Sequence, residues 1–136
     1  MAKAPRRLTD GSYLALPHTL INHQNYSNLT GSAVKLLTQL GGKFNGRNNG
    51  DLCATWSVMI KQGWKSQETL YNALGELEHY GFIEKTQQGG QHKPSLYAIT
   101  WYKVDECKGK LDVKATNQAS GKWKVEQSKY IRKYNK

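Results

Sequence analysis

Gln67, Tyr71 and Asn72 follow closely on Lys65-Ser66, and these side chains suit recognition of nucleic acid. A carboxamide pairs bidentately with adenine in a major groove, and a tyrosine contacts phosphate or packs on sugar. A lysine and a serine at a helix start hold phosphate beside the positive end of the helix dipole. A second candidate lies in FNGRNNGDLCATW, Phe44 to Trp56, where Arg47 sits among Asn45, Gly46, Asn48, Asn49 and Gly50. Asn and Gly tolerate positive φ, so a shaped turn accounts for all of them without a ligand. Arg47 is what the turn leaves unexplained, and a guanidinium beside exposed backbone amides suits a phosphate. His92 and Lys93 lie in GGQHKP, where a groove contact and a solvated loop are equal readings. Arg6 and Arg7 resemble a groove-following arm. Lys122 and Lys124 flank Trp123 ahead of Tyr130 and Tyr134, a pattern for tracking a phosphate backbone with aromatic contacts, or else a solubilising tail.

Other chemistries find no constellation. His18, His23, His79 and His92 are scattered, and Cys53 and Cys107 lack zinc spacing. There is no phosphate loop and no nucleophile elbow, and Glu76 and Glu78 sit two apart on a helix, where side chains diverge. The expectation is a non-enzyme without metal or cofactor. The sequence has no run of about 18 apolar residues, so no membrane span is expected. No apolar stretch follows Met1 to Arg7, so no secretory signal is read there. Reduced thiols and a cytoplasmic location follow as expectations.

Charge is more informative. Twenty Lys and Arg against ten Asp and Glu give +10 in 136 residues. Residues 1–102 hold ten basic and six acidic side chains, whereas residues 103–136 hold ten and four. A quarter of the chain therefore carries more than half of the excess, which favours a polyanionic partner.

Three elements would position these residues. Ala33, Leu36, Leu37 and Leu40 repeat at helical spacing, with Thr30 as N-cap and Gly41-Gly42 as stop. Residues 55–62 form a second helix ended by Gly63. Leu70, Ala73, Leu74, Leu77 and Tyr80 mark a third, from the Ser66 cap to Gly81. Two helices joined by a short turn containing Gly match a helix-turn-helix. Residues 82–87 and 95–101 then read as a β-hairpin. The fold expected is α+β: a winged helix-turn-helix of three helices and a hairpin wing over 29–102. Residues 1–28 are an arm or edge strand, and residues 103–136 a basic extension with a short helix near Tyr130 to Tyr134.

GRNNGDL, TLYNALGELEHYGFIEKTQQGG, SLYAITW and CKGKLDVKAT together resemble a family of small phage and prophage winged-helix proteins. They are similar in outline to the winged helices of plasmid replication initiators. The resemblance runs from about Leu16 to Trp123. It implies a short strand near Leu52 pairing with the wing, Leu52 pointing inward, and Cys53 or Thr55 starting the second helix. It implies a role in transcriptional regulation or replication initiation on double-stranded DNA.

The third helix raises an objection. From Lys65 to Gly81 one Lys stands against Glu68, Glu76 and Glu78, a net charge of −2 that repels phosphate, where the family more usually carries basic residues near Asn72 and Gly75. Gly75 also costs a helix about 1 kcal/mol relative to alanine, so some close approach is expected there. The acidic face motivates an alternative: a phage accessory protein of anti-CRISPR or antirepressor type that docks on a host protein or ribonucleoprotein. RNA binding is a third reading, and a homodimer is compatible with a regulator.

Overall fold

The computed structural model describes residues 10–134. Its elements are α1 (His18–Ile21), α2 (Gln24–Ser27), α3 (Gly31–Lys43), β1 (Leu52–Cys53), α4 (Trp56–Met59), α5 (Gln67–His79), β2 (Ile83–Gln87) and β3 (Leu96–Ile99). The architecture is mixed α+β, with five helices and one three-stranded antiparallel sheet among the described residues. The sheet order is β1-β3-β2, with Leu52 opposite Tyr97 and Ile83 opposite Ile99. A bulge between Lys85 and Gln87 interrupts the β2–β3 register.

The caps explain where the helices begin. Thr30 Oγ1 accepts from Ala33 N, and Ser66 Oγ accepts from Thr69 N, each satisfying an orphan donor of the first turn. The core lies where α3 crosses α5 above the sheet: Leu36, Leu37 and Leu40 join Leu70, Ala73 and Leu77, with Leu52, Phe82 and Ile99 beneath. Leu52 is fully buried and β1 pairs with the hairpin strand β3, as the sequence leads one to expect.

Several boundaries differ. α3 runs through Gly41-Gly42 to Lys43, because Leu14 packs on Gly41, where a Cβ would collide with it. The second helix is a single α-turn followed by a 3₁₀ turn, Ile60–Gln62, stopped by Gly63 at φ +93. No strand forms over 10–28. Leu14 instead lies on α3, Trp101 Nε1 donates to Ala15 O at 2.9 Å, and α1 and α2 follow. Two four-residue helices carry no periodicity for a sequence pattern to detect. No helix of the described residues is long and apolar enough to cross a membrane.

The largest departure concerns residues 102–134. Rather than projecting as an extension, they return across the domain: Val104 and Trp123 are buried, with 4% exposure each. Three buried asparagines hold this return. Asn49 Nδ2 donates to Ile99 O and Lys103 O, and its Oδ1 accepts from Ile99 N. Asn25 Nδ2 donates to Trp123 O and Val125 O, and its Oδ1 accepts from Gln127 N. Asn72 Nδ2 donates to Tyr134 O at 2.7 Å, while its Oδ1 accepts from Lys133 N at 3.1 Å and Tyr134 N at 3.2 Å. Asn72 engages the backbone of residues 133 and 134, and no helix forms over 130–134.

Candidate nucleic-acid interface

Residues 125–134 form a strap over the outward face of α5. Tyr130 N donates to the Tyr80 hydroxyl at 2.8 Å, and a ring nitrogen of His79 lies 2.6 Å from Ser128 O. The Tyr130 ring seats on Gly75, where a Cβ would come within 2.9 Å of Cζ. This is the close approach that a glycine in mid-helix foretold. At the far end the Tyr134 ring meets Tyr71 edge-on, with centroids 5.7 Å apart.

This packing changes what the helix presents. Asn72 is 2% exposed and its carboxamide is spent on the strap, so it is not placed to read a base edge. Glu76, expected on the acidic outer face, is 6% exposed, and its carboxylate accepts from Thr30 N at 2.9 Å and Thr30 Oγ1 at 2.7 Å. It ties the start of α3 to α5. The strap sets exposed Lys129, Arg132 and Lys133 over the same face. Residues 65–81 alone carry −2, while residues 122–134 hold five basic side chains against Glu126, which is +4. Together the two segments carry +2.

The other candidates are dispersed. Ser66 caps α5, Lys65 is exposed beside it, and Gln67 Nε2 donates to the Tyr71 hydroxyl at 3.1 Å. Arg47 is exposed on a turn that holds itself: Arg47 N donates to Asn45 Oδ1, Asn45 N to Asn48 Oδ1, and Asn48 Nδ2 to Lys43 O. The Asn/Gly stretch is therefore built by its own side chains, with Asn49 buried beneath. His92 and Lys93 lie exposed at the hairpin tip, His92 at φ +66, closed by a Gly90–Lys93 bridge. Lys122 faces Glu84 at 3.8 Å, and Lys124 lies over the Trp123 ring, 5.7 Å from its centroid, so both serve the strap's own seat. Arg6 and Arg7 fall outside the described residues.

Between α5, the sheet and the strap lies a cleft of about 510 Å³. Its walls include Trp56, Tyr71, Tyr97, Tyr130 and Tyr134, with Lys85 and Lys133 as its cations and Glu78 as its acid. Burial, reinforced by Glu78, pushes the Tyr97 phenol up to about 12, so it remains a neutral donor. Burial also raises Tyr130. On the opposite flank, burial and then Asp51 and Asp105 push the Cys107 thiol up, which keeps it protonated and a poor nucleophile. Among the described residues no three His, Cys, Asp or Glu side chains gather as a metal site would require.

Lys85, Lys129, Arg132 and Lys133 are the cations that sequence reasoning left out of the site. The signal for the last three was Gly75 together with the alternation of cations and aromatics in the tail. Comparison with protein-family models, curated proteins and solved structures finds no match for this chain.

Proposed function

We propose that this protein is a winged-helix DNA-binding protein of phage or prophage type, acting in transcriptional regulation or replication initiation on double-stranded DNA. The order α3-β1-α4-α5-β2-β3 is compatible with a winged helix, the β2–β3 hairpin serving as its wing. The observation that carries the proposal is the strap, which replaces a phosphate-repelling helix face with Lys129, Arg132 and Lys133. In this reading α5 does not enter a groove bare. Phosphates meet a composite surface of the α5 start (Lys65, Ser66, Gln67 and Tyr71) and the strap cations, with Arg47 and Lys93 as outlying contacts. Binding made of such contacts positions the protein on a duplex and carries little sequence information.

The protein-docking alternative drew on an acidic face at Glu68 and Glu76. Glu76 lies under Thr30 and a basic strap crosses that face, so no observation favours it.

The test is fluorescence anisotropy with random duplex DNA across a salt series. The affinity should fall steeply with salt, by a slope of about −0.9 per neutralised phosphate. Replacing Lys129, Arg132 and Lys133 with alanine should flatten the slope by about 1 for each lost contact. No binding at low salt would sink the proposal.

A further inference from the structure

Of the five aromatic side chains around the cleft, Trp56, Tyr97 and Tyr130 pack with the core, and Tyr71 and Tyr134 stand outside it. Tyr71 is 37% exposed and Tyr134 45%, and both line the cleft, where their rings meet edge to face. Gln67 fixes the Tyr71 hydroxyl, and Asn72 fixes the backbone on either side of the Lys133–Tyr134 peptide bond, so this aromatic wall is held in place. Lys85, on β2, has one neutral neighbour, Gln88 Oε1 at 3.5 Å, and Lys133 is exposed across the cleft. Glu78 is the one carboxylate in the lining. Partly exposed aromatic rings and two cations lining one space of about 510 Å³ suit one nucleotide: a flat π-face to stack and a flanking phosphate to neutralise.

We infer that this cleft receives an unpaired base of a single-stranded nucleic acid, stacked on Tyr71 and Tyr134, with adjacent phosphates on Lys85 and Lys133. This rests on the nucleic-acid reading above and narrows it. A base within a duplex has both faces covered by its neighbours and must leave the stack to enter, so the cleft distinguishes unpaired from paired strands. Stacking tolerates any base, so the preference among bases that the rings bring is weak. The strap supplies Tyr130, Lys133 and Tyr134 to the cleft, so the segment that supplies charge also supplies part of the stacking wall.

The test uses the full chain and three labelled probes of about 15 nucleotides: oligo-dT, oligo-rU and a random duplex. Tyr134→Ala, at an exposed position outside the surface assigned to the duplex, should weaken single-strand binding about tenfold and leave duplex binding unchanged. The dT and rU arms assign the sugar of the bound strand. Quenching of tryptophan fluorescence by oligo-dT should shrink in Trp56→Phe, which keeps an aromatic ring packed at that half-buried position. Equal losses on duplex and single strand, or no loss on either, would overturn the cleft as a base site. Duplex binding without single-strand binding by the wild type would overturn this inference alone. Binding of no probe would overturn it together with the proposed function.

Discussion

One face of α5 carries Leu70, Ala73 and Leu77 into the cluster shared with Leu36, Leu37 and Leu40 of α3. The other carries Asn72, Gly75 and His79 under the strap, joined by hydrogen bonds and one tyrosine ring. The inner contact removes hydrocarbon from water over many atoms, a non-directional gain that no single polar group controls. The outer contact depends on a few directional bonds, each worth about 0.5–1.5 kcal/mol net. The inner face should therefore share the stability of the whole domain, while the strap opens as a separate unit at lower free energy.

The largest expected effect lies on the inner face. Leu77 is 0% exposed, and Leu77→Ala should destabilise the domain by about 2–5 kcal/mol through lost transfer energy and a residual cavity. Urea unfolding measures this, and the strap should be lost in the same transition. A strap signal that survived core unfolding would break the comparison.

Two asparagines sharpen it next. Asn49 is 0% exposed and bonds Ile99 on both backbone atoms as well as Lys103, inside the sheet's own support. Asn49→Ala strands those buried groups and should destabilise the whole domain by about 1–3 kcal/mol. Asn72 uses the same chemistry on residues 133 and 134, at the far end of the strap. Asn72→Ala should leave the urea midpoint nearly unchanged yet make trypsin cleavage after Lys129, Arg132 and Lys133 much faster. Equal global losses from the two variants would show the strap to be part of one cooperative unit.

Gly75 tests the outer face alone. By helix propensity Gly75→Ala should stabilise by up to about 1 kcal/mol. The added Cβ meets Tyr130, so the gain within α5 is set against loss of the strap's seat. Hydrogen exchange should show faster exchange at Tyr130, Lys133 and Tyr134 with α5 protection kept or raised. Adding Tyr130→Ala should recover the full stabilisation, and a Gly75→Ala protein with an undisturbed strap would contradict this packing.

The same contrast explains how much the sequence revealed. Leu36, Leu37 and Leu40, like Leu70, Ala73 and Leu77, recur at helical spacing because they share one buried stripe, and periodicity reports such a stripe directly. Thr30 and Ser66 announce their helices because capping is local. Asn25, Asn49 and Asn72 each fasten backbone far along the chain, Asn25 some 100 residues away at Val125. A buried carboxamide bonded to distant peptide groups has the composition of a turn or a solvated face and no periodicity. That is why Asn72 reads as a base-contacting residue and the tail as an extension. Gly75 was, beside the alternation of cations and aromatics in the tail, the visible trace of the strap, and it stated the need for close approach without naming the partner. The Ser66 cap at the start of α5 was legible; the place of Lys85 in the cleft was not, because only the fold brings β2 beside the strap.

Tyr97 offers the smallest effect and probes where the two regions meet, since it pairs with the sheet and lies in the cleft lined by Tyr134. Its phenol is raised from 10.0 to about 12, first by burial and then by Glu78, with Tyr134 adding and a Ser95 hydrogen bond opposing. The folded pKa exceeds the unfolded one, so the folded state binds the extra proton as pH rises. Its contribution is complete below pH 10 and is lost as pH climbs towards about 12. Wild type and Tyr97→Phe should therefore follow parallel urea-stability curves up to about pH 10, above which the wild type falls faster. Opening the strap with Asn72→Ala rehydrates the cleft and removes the Tyr134 contribution, which should lower the folded pKa and narrow that window. If the window is the same with and without Asn72, the sheet alone buries Tyr97 and the strap contributes nothing to the cleft's interior. If it narrows, the strap that recharges α5 also keeps this phenol dry, and the two faces of the helix are coupled through the cleft between them.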